Sequence, residues 1–126
     1  MTYLLDTTII IDALNGKRNR PEQLEGLITK GNLLACCSIN ITEVYAGMRP
    51  GEEKATEQLL QSFKLYLVTF SIARLAGILK RDYSKKGKVL TVPDATIAAV
   101  AIHHDLPLIT DNIKDFPMKE LRLYPL

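Results

Sequence analysis

Two short apolar runs without polar alternation, Tyr3-Leu4-Leu5 and Leu33-Leu34-Ala35-Cys36-Cys37, set the architecture of this chain. A strand with one wet face alternates apolar and polar residues, whereas a strand covered on both faces does not. Each run stops at a polar residue, Asp6 or Ser38, and each is followed by a stretch with helical periodicity. Helical segments are expected from Ile9 through Ala13, from Pro21 through Ile28 and from Asn40 through Met48. Others are expected over Glu52–Phe63, with Ala55, Leu59 and Leu60 inward, over Ser71–Tyr83, and from Pro93-Asp94 through Ile102. Further strands are expected at Leu65–Val68, at Pro107–Ile109 and, as an edge, at Arg122–Tyr124. Strands alternating with helices predict an α/β fold: a parallel β-sheet of four to five strands flanked by helices on both faces. One domain spanning 1–126 fits this length.

Composition narrows the function classes. No apolar run approaches the roughly 20 residues that span a bilayer, and the start of the chain lacks the basic and small-residue pattern of a secretory leader. The expected place of work is the cytoplasm. Cys36 and Cys37 are the only cysteines. Neighbours in a strand point to opposite faces, so two reduced core thiols are expected rather than a disulfide or a zinc site. The net charge is +2, from 16 basic and 14 acidic residues. If four of those 14 acids were gathered into one site, ten would face the 16 cations elsewhere, enough to attract nucleic acid. Lys80, Arg81, Lys85, Lys86 and Lys88 form the densest basic stretch, readable as an RNA-contacting patch or as a solvated helix end.

In a parallel sheet all strand carboxyl ends lie along one edge, where open α/β folds bind ligands. Asp6 ends the first strand, and Thr110-Asp111-Asn112 end the fourth. Glu43 lies on the helix after the second strand, near Asn40 and Gly47, and Asp94 lies in the first turn of the apolar helix that feeds the fourth strand. Asp6 could also simply cap its helix, and Glu43 could be an exposed surface residue. Gly47 inside a helix, at about 1 kcal/mol relative to Ala, would make sense if something approached that face closely. Carboxylates gathered without a partner raise one another's pKa. A hard divalent cation removes that penalty, and oxygen donors suit Mg2+ or Mn2+ rather than zinc. Such a cation on a basic domain points to phosphodiester hydrolysis by a metal-activated water. Phosphate-binding loops of the GxxxxGK or GxGxxG type are absent.

The order Leu5-Asp6-Thr7-Thr8, then Ser38 to Gly47 with Glu43, then Pro93-Asp94-Ala95, then Thr110-Asp111-Asn112 with Asp115-Phe116 resembles a PIN domain of the VapC toxin type. The resemblance covers essentially the whole chain. It implies an endoribonuclease dependent on Mg2+ or Mn2+, acting on RNA as the toxin of a type II toxin–antitoxin system, a homodimer silenced by a cognate antitoxin protein. Carried over, Asp6, Glu43 and Asp94 match the family's three dependable acids, with Asp6 and Asp94 as direct metal ligands. Glu43 is expected beside the ion, holding a coordinated water. The third place of the family's Thr-x-Asp/Asn pattern is Asn112 here, flanked by Asp111 and Asp115, a departure that leaves the fourth site residue open among these three. Docking of an antitoxin helix is expected around Leu59, Leu60 and Ile72, with a basic side chain entering the acidic pocket. The alternatives are a non-toxin housekeeping PIN nuclease, a PIN domain serving only as a binding module, and a phosphoacceptor signalling domain. The last needs an Asp ending the third strand, and Val68-Thr69-Phe70 stands there instead.

Overall fold

The computed structural model describes residues 1–126. Its strands are β1 (Thr2–Leu5), β2 (Leu33–Cys37), β3 (Lys64–Tyr66), β4 (Leu108–Ile109) and β5 (Leu123–Tyr124). They form one five-stranded sheet in the order β3-β2-β1-β4-β5, with every pair parallel. The first strand of the sequence is therefore the middle of the sheet. Leu4 pairs with Ala35 on one side and Leu108 on the other. The helices are α1 (Thr7–Leu14), α2 (Arg20–Thr29), α3 (Ser38–Ala46), α4 (Glu53–Ser62), α5 (Phe70–Lys85) and α6 (Val92–His104).

The period of two along each strand sorts side chains into two cores. Leu4, Ala35, Cys37 and Leu108 face one core, completed by Ile72 and Leu79 of α5 and the apolar length of α6. Tyr3, Leu5, Leu34, Cys36 and Ile109 face the other, closed by residues of α1 to α4 such as Ile10, Leu24, Val44 and Leu60. Cys36 and Cys37 thus belong to opposite cores and are free thiols, each pushed up to about 11 by burial. From Ala95 to Ala101 every residue of α6 is buried, and its four alanines let α5 and the sheet approach closely. No helix is long and apolar enough to cross a membrane.

Three local expectations change. The third strand runs Lys64–Tyr66 rather than Leu65–Val68. Its partner β2 ends at Cys37, opposite Tyr66, so no ladder remains beyond it; the Val68 amide donates instead to the Ser38 hydroxyl at 3.0 Å. In α4 the inward pair is Thr56 and Leu60, four residues apart on one face, which leaves Ala55 exposed. Gly47 is the C-cap of α3 rather than an interior residue. A Cβ there would meet nothing nearer than the Glu43 carbonyl at 3.9 Å, so no close approach explains the glycine.

Candidate active site at the carboxyl edge of the sheet

β1 and β4 are neighbours, so their carboxyl ends emerge side by side. The Asp6 amide donates to the Ile109 carbonyl at 2.9 Å, which locks the two exits together. Asp6 is 4% exposed. Its Oδ1 accepts from the Thr7 amide at 2.8 Å and its Oδ2 from the Thr110 hydroxyl at 2.7 Å. Capping and membership of the acidic site thus coexist, because a carboxylate has room for several donors. Burial raises the Asp6 carboxyl above its ordinary pKa; bonds from Thr110, Thr7 and Asn112 work the other way, and the Asp115 charge adds to the rise.

Asp94 sits in the first turn of α6, whose N-cap Thr91 accepts from the Asp94 amide at 3.1 Å. Its carboxyl is also raised, first by burial, opposed by the bond with Thr91, and then raised further by the charges of Asp6, Asp115 and Glu43. The charges of three acids from other segments therefore reach Asp94. Glu43 is held from below: its Oε1 accepts from the Thr7 hydroxyl at 2.6 Å. That hydroxyl accepts from Asn40 Nδ2 at 2.9 Å, and Asn40 Oδ1 accepts from the Cys37 amide at 2.7 Å. Asn40 is fully buried, so this relay ties Glu43 to the end of β2.

Of the residues after β4, Asn112 turns toward Asp6, and Asp115, in the 3-10 turn Ile113–Asp115, adds its charge to both Asp6 and Asp94. Asp111 does not join them. Its carboxylate pairs with Arg20 and lies 3.8 Å from Arg18. The sequence places it beside Asn112 in the acidic group; the structure makes it the partner of a guanidinium.

The donor set fits a hard divalent cation: carboxylate and amide oxygens only, with two carboxyls made reluctant to ionise by burial and mutual repulsion. No three His, Cys, Asp or Glu side chains are grouped so that they could hold a metal ion by themselves. Mg2+ does not require such a group, since it keeps several waters and commonly uses one or two carboxylates. Beside the acids, Asp94 and Asp115 share a cleft of about 270 Å³ with Lys88, Thr91 and Lys114. The basic stretch seen in the sequence is divided in its roles. Lys80 donates to the Leu90 carbonyl at 2.5 Å and fixes the loop before α6, whereas Lys85, Lys86 and Lys88 are exposed.

Sequence reasoning missed the supporting shell of Thr7, Asn40 and Arg20. A signal existed for Asn40, three residues after Cys37 at the position from which a side chain reaches back to a helix N-cap amide. Nothing in the sequence marked the long-range partners of Thr7 and Arg20.

Comparison with known proteins follows this geometry. Residues 3–118 match the family model described as "PIN domain". Ribonuclease VapC19 of Mycobacterium tuberculosis is 37% identical over 115 residues, covering 91% of this chain and 92% of that protein. Ribonuclease VapC10 of the same organism is 34% identical over 117 residues, covering 93% and 87%. Among solved structures, VapBC2 from Rickettsia felis bound to a promoter DNA fragment superposes with a TM-score of 0.85 at 27% identity, over 100% of this chain and 99% of that one. A toxin–antitoxin complex from Klebsiella pneumoniae gives a TM-score of 0.79 at 31% identity, over 98% and 99%.

Proposed function

The chain belongs to the PIN-domain family, and from that premise we propose that it is an endoribonuclease dependent on Mg2+ or Mn2+, the toxin of a cytoplasmic toxin–antitoxin pair. The observation that carries this reading is geometric: the parallel sheet brings Asp6 at the end of β1 against Thr110 at the end of β4. The helix that feeds β4 carries Asp94 in its first turn, where the charges of Asp6, Asp115 and Glu43 add to its own. Such a concentration of negative charge favours a divalent cation. Asp6 and Asp94 are the direct ligands, with Asp115 and Asn112 completing the surround. When bound, the cation polarises the phosphate and lowers the pKa of a bound water. Thr7 and Asn40 orient Glu43 through the relay behind it, where its carboxylate would accept a hydrogen bond from such a water. Lys88 and Lys114, on the wall of the same cleft, draw the RNA backbone toward the acids.

The VapC ribonucleases and toxin–antitoxin complexes among its relatives support the toxin reading over a housekeeping nuclease. The antitoxin surface overlaps the one expected at Leu60, which lines an apolar groove; Leu59 is half-buried, and only Ile72 is fully buried. That groove runs along α3, α4 and β3, lined by Ile41, Tyr45, Leu60, Phe63 and Leu65, with Tyr45 40% and Leu65 46% exposed. An amphipathic antitoxin helix fits such a groove, and a following arginine fits the acidic pocket, since a guanidinium can take two carboxylate oxygens. A homodimer completes the proposal, readable by sedimentation.

The experiment is incubation of the purified protein with total RNA and Mg2+, followed by sequencing of the new RNA ends. Discrete ends that vanish with EDTA and in Asp6→Asn are the expected result. Intact RNA under all metals, or cleavage indifferent to EDTA, would overturn the proposal.

A further inference from the structure

Arg20 is the only buried basic residue of the chain, 4% exposed, and it opens α2 at some distance in sequence from every acid of the site. The loop that delivers it is unusual. Arg18 and Asn19, neither of them glycine, have φ of 55° and 58° in succession, directly after the turn at Gly16. Side chains with a Cβ rarely adopt that left-handed conformation, and it persists where surrounding contacts over-determine it. The contacts are specific. Nη1 donates to Gln23 Oε1 at 2.9 Å, and Nη2 donates to Asp111 Oδ2. Nε lies 3.7 Å from Asp12 Oδ2 and has no hydrogen-bond partner of its own. Arg18 brackets the same two carboxylates from outside, at 4.0 Å from Asp12 and 3.8 Å from Asp111.

Both carboxylates belong to segments that carry Asp6 and its donors. Asp12 lies on α1, the helix that Asp6 caps. Asp111 stands between Thr110, whose hydroxyl donates to Asp6, and Asn112, whose amide donates to the Thr110 hydroxyl at 2.9 Å. One buried guanidinium thus joins the two segments that meet at Asp6. Buried ion pairs add little net stability compared with apolar packing, so a fold that needed only a staple here could use a hydrophobic side chain. A fixed geometry and a neutralised charge are what the guanidinium adds.

We propose that Arg20 is a positioning residue for the cleavage reaction, holding the turn 110–112 against α1 through Asp111 and Asp12 so that Thr110 and Asn112 stay in place around Asp6. It touches neither RNA nor the cation. It also cancels charge that Asp12 and Asp111 would otherwise add beside the acidic group. The inference rests on the nuclease reading above for its catalytic consequence, but the clamp itself can be tested without it.

The test compares wild type with Arg20→Met, Arg20→Lys, Asp111→Ala and the double variant Arg20→Met/Asp111→Ala. Three measurements are made: kcat and KM on a defined RNA with Mg2+, Mg2+ binding by calorimetry, and amide hydrogen exchange of residues 110–112 in EDTA. Asp111→Ala and Arg20→Met are each expected to lower kcat by about 10–100-fold, the range for groups that orient metal ligands, with KM within about twofold. Exchange at the Asn112 amide speeds up in both, and the double variant is no slower than Arg20→Met, because the two residues act through one contact. Arg20→Lys keeps the charge without the fork, so its kcat falls between wild type and Arg20→Met. Should Arg20→Met fail to fold, Asp111→Ala alters only a partly exposed side chain and decides the matter alone. Wild-type kcat and exchange in Asp111→Ala would overturn the proposal, as would losses that multiply in the double variant or that fall on KM. If wild-type protein cuts no RNA, the nuclease reading fails, and unchanged exchange at Asn112 in Asp111→Ala remains the result that removes the clamp.

Discussion

Replacing Thr7 by valine keeps the shape of a buried side chain and deletes the hydroxyl that links Glu43 to Asn40. Asn40 is fully buried, so its Nδ2 is left without an acceptor and without water. An unsatisfied buried donor costs about 1–3 kcal/mol. Glu43 is only partly buried and regains water, so it adds little to that figure. For a chain of 126 residues the unfolding entropy is about 0.26 kcal/mol/K, which converts the loss into a fall in Tm of about 4–11 °C. Calorimetry in EDTA reads this without interference from a bound cation. Turnover should fall by about 10-fold or more, because Glu43 loses the donor that orients it. Thr7→Ser separates the two effects: it sheds a buried methyl, with a modest loss of Tm, yet keeps the relay and therefore near-wild-type turnover. Wild-type turnover in Thr7→Val, or a Tm within about 1 °C of wild type against the expected entropy scale, would refute the relay.

Asp94→Asn should abolish cleavage and also change the pH dependence of stability. The folded Asp94 carboxyl titrates above 3.8, chiefly from burial, with Asp6, Asp115 and Glu43 adding to it. An acid whose folded pKa is raised is at no disadvantage below its unfolded value and loses stability as pH rises through the raised one. In EDTA at pH 7 the Asp94→Asn variant should therefore melt above wild type, with the gap closing on acidification; added Mg2+ should raise the wild-type Tm only. A variant that melts below wild type at pH 7 in EDTA would contradict the electrostatic reading. Glu43→Gln should depress turnover far more than calorimetric Mg2+ affinity, and the reverse order would make Glu43 a direct ligand. Leu65→Glu, which places a charge in the α3/α4 groove, should weaken capture of the co-expressed antitoxin while leaving RNA cleavage intact; equal capture would move the docking surface elsewhere.

The strands and helices were legible because both periodicities are strong here. Leu33 to Cys37 cannot be a half-wet strand, and the apolar length of α6 cannot be a surface helix, so a doubly covered parallel sheet follows. The parallel arrangement in turn sets the carboxyl ends of β1 and β4 side by side, so Asp6 and the residues after β4 could be placed at one edge from strand ends, whereas Glu43 and Asp94 lie on helices. What stayed hidden depended on rotation about local axes. Ala55 and Thr56 are neighbours, and the apolar one faces water. Ile72 carries helical periodicity but spends it on one core, whereas Leu60 packs into the other core and still lines the α3/α4 groove. Asp111 and Asp115 are both acids after one strand. Only Asp111 pairs with Arg20, ninety-one positions earlier in the chain.

The distribution of buried polarity ties these levels together. The fold buries seven polar or charged side chains: Asp6, Thr7, Arg20, Asn40, Thr56, Thr96 and Thr110. Five of them, all but Thr56 and Thr96, lie in the acidic site or in the contacts that hold it. Burying such groups is unfavourable unless each finds a partner. Asp6 finds Thr7 and Thr110, Asn40 finds Cys37 and Thr7, and Arg20 finds Gln23 and Asp111, with only its Nε left over. A sheet stabilised for its own sake would carry apolar residues at these places, as it does from Tyr3 to Leu5 of β1 and throughout β2. Apart from Thr56 and Thr96, the polar burial gathers at the edge where carboxylates are held close together against their own repulsion, and a rigid hydrogen-bonded frame does that where an apolar one could not.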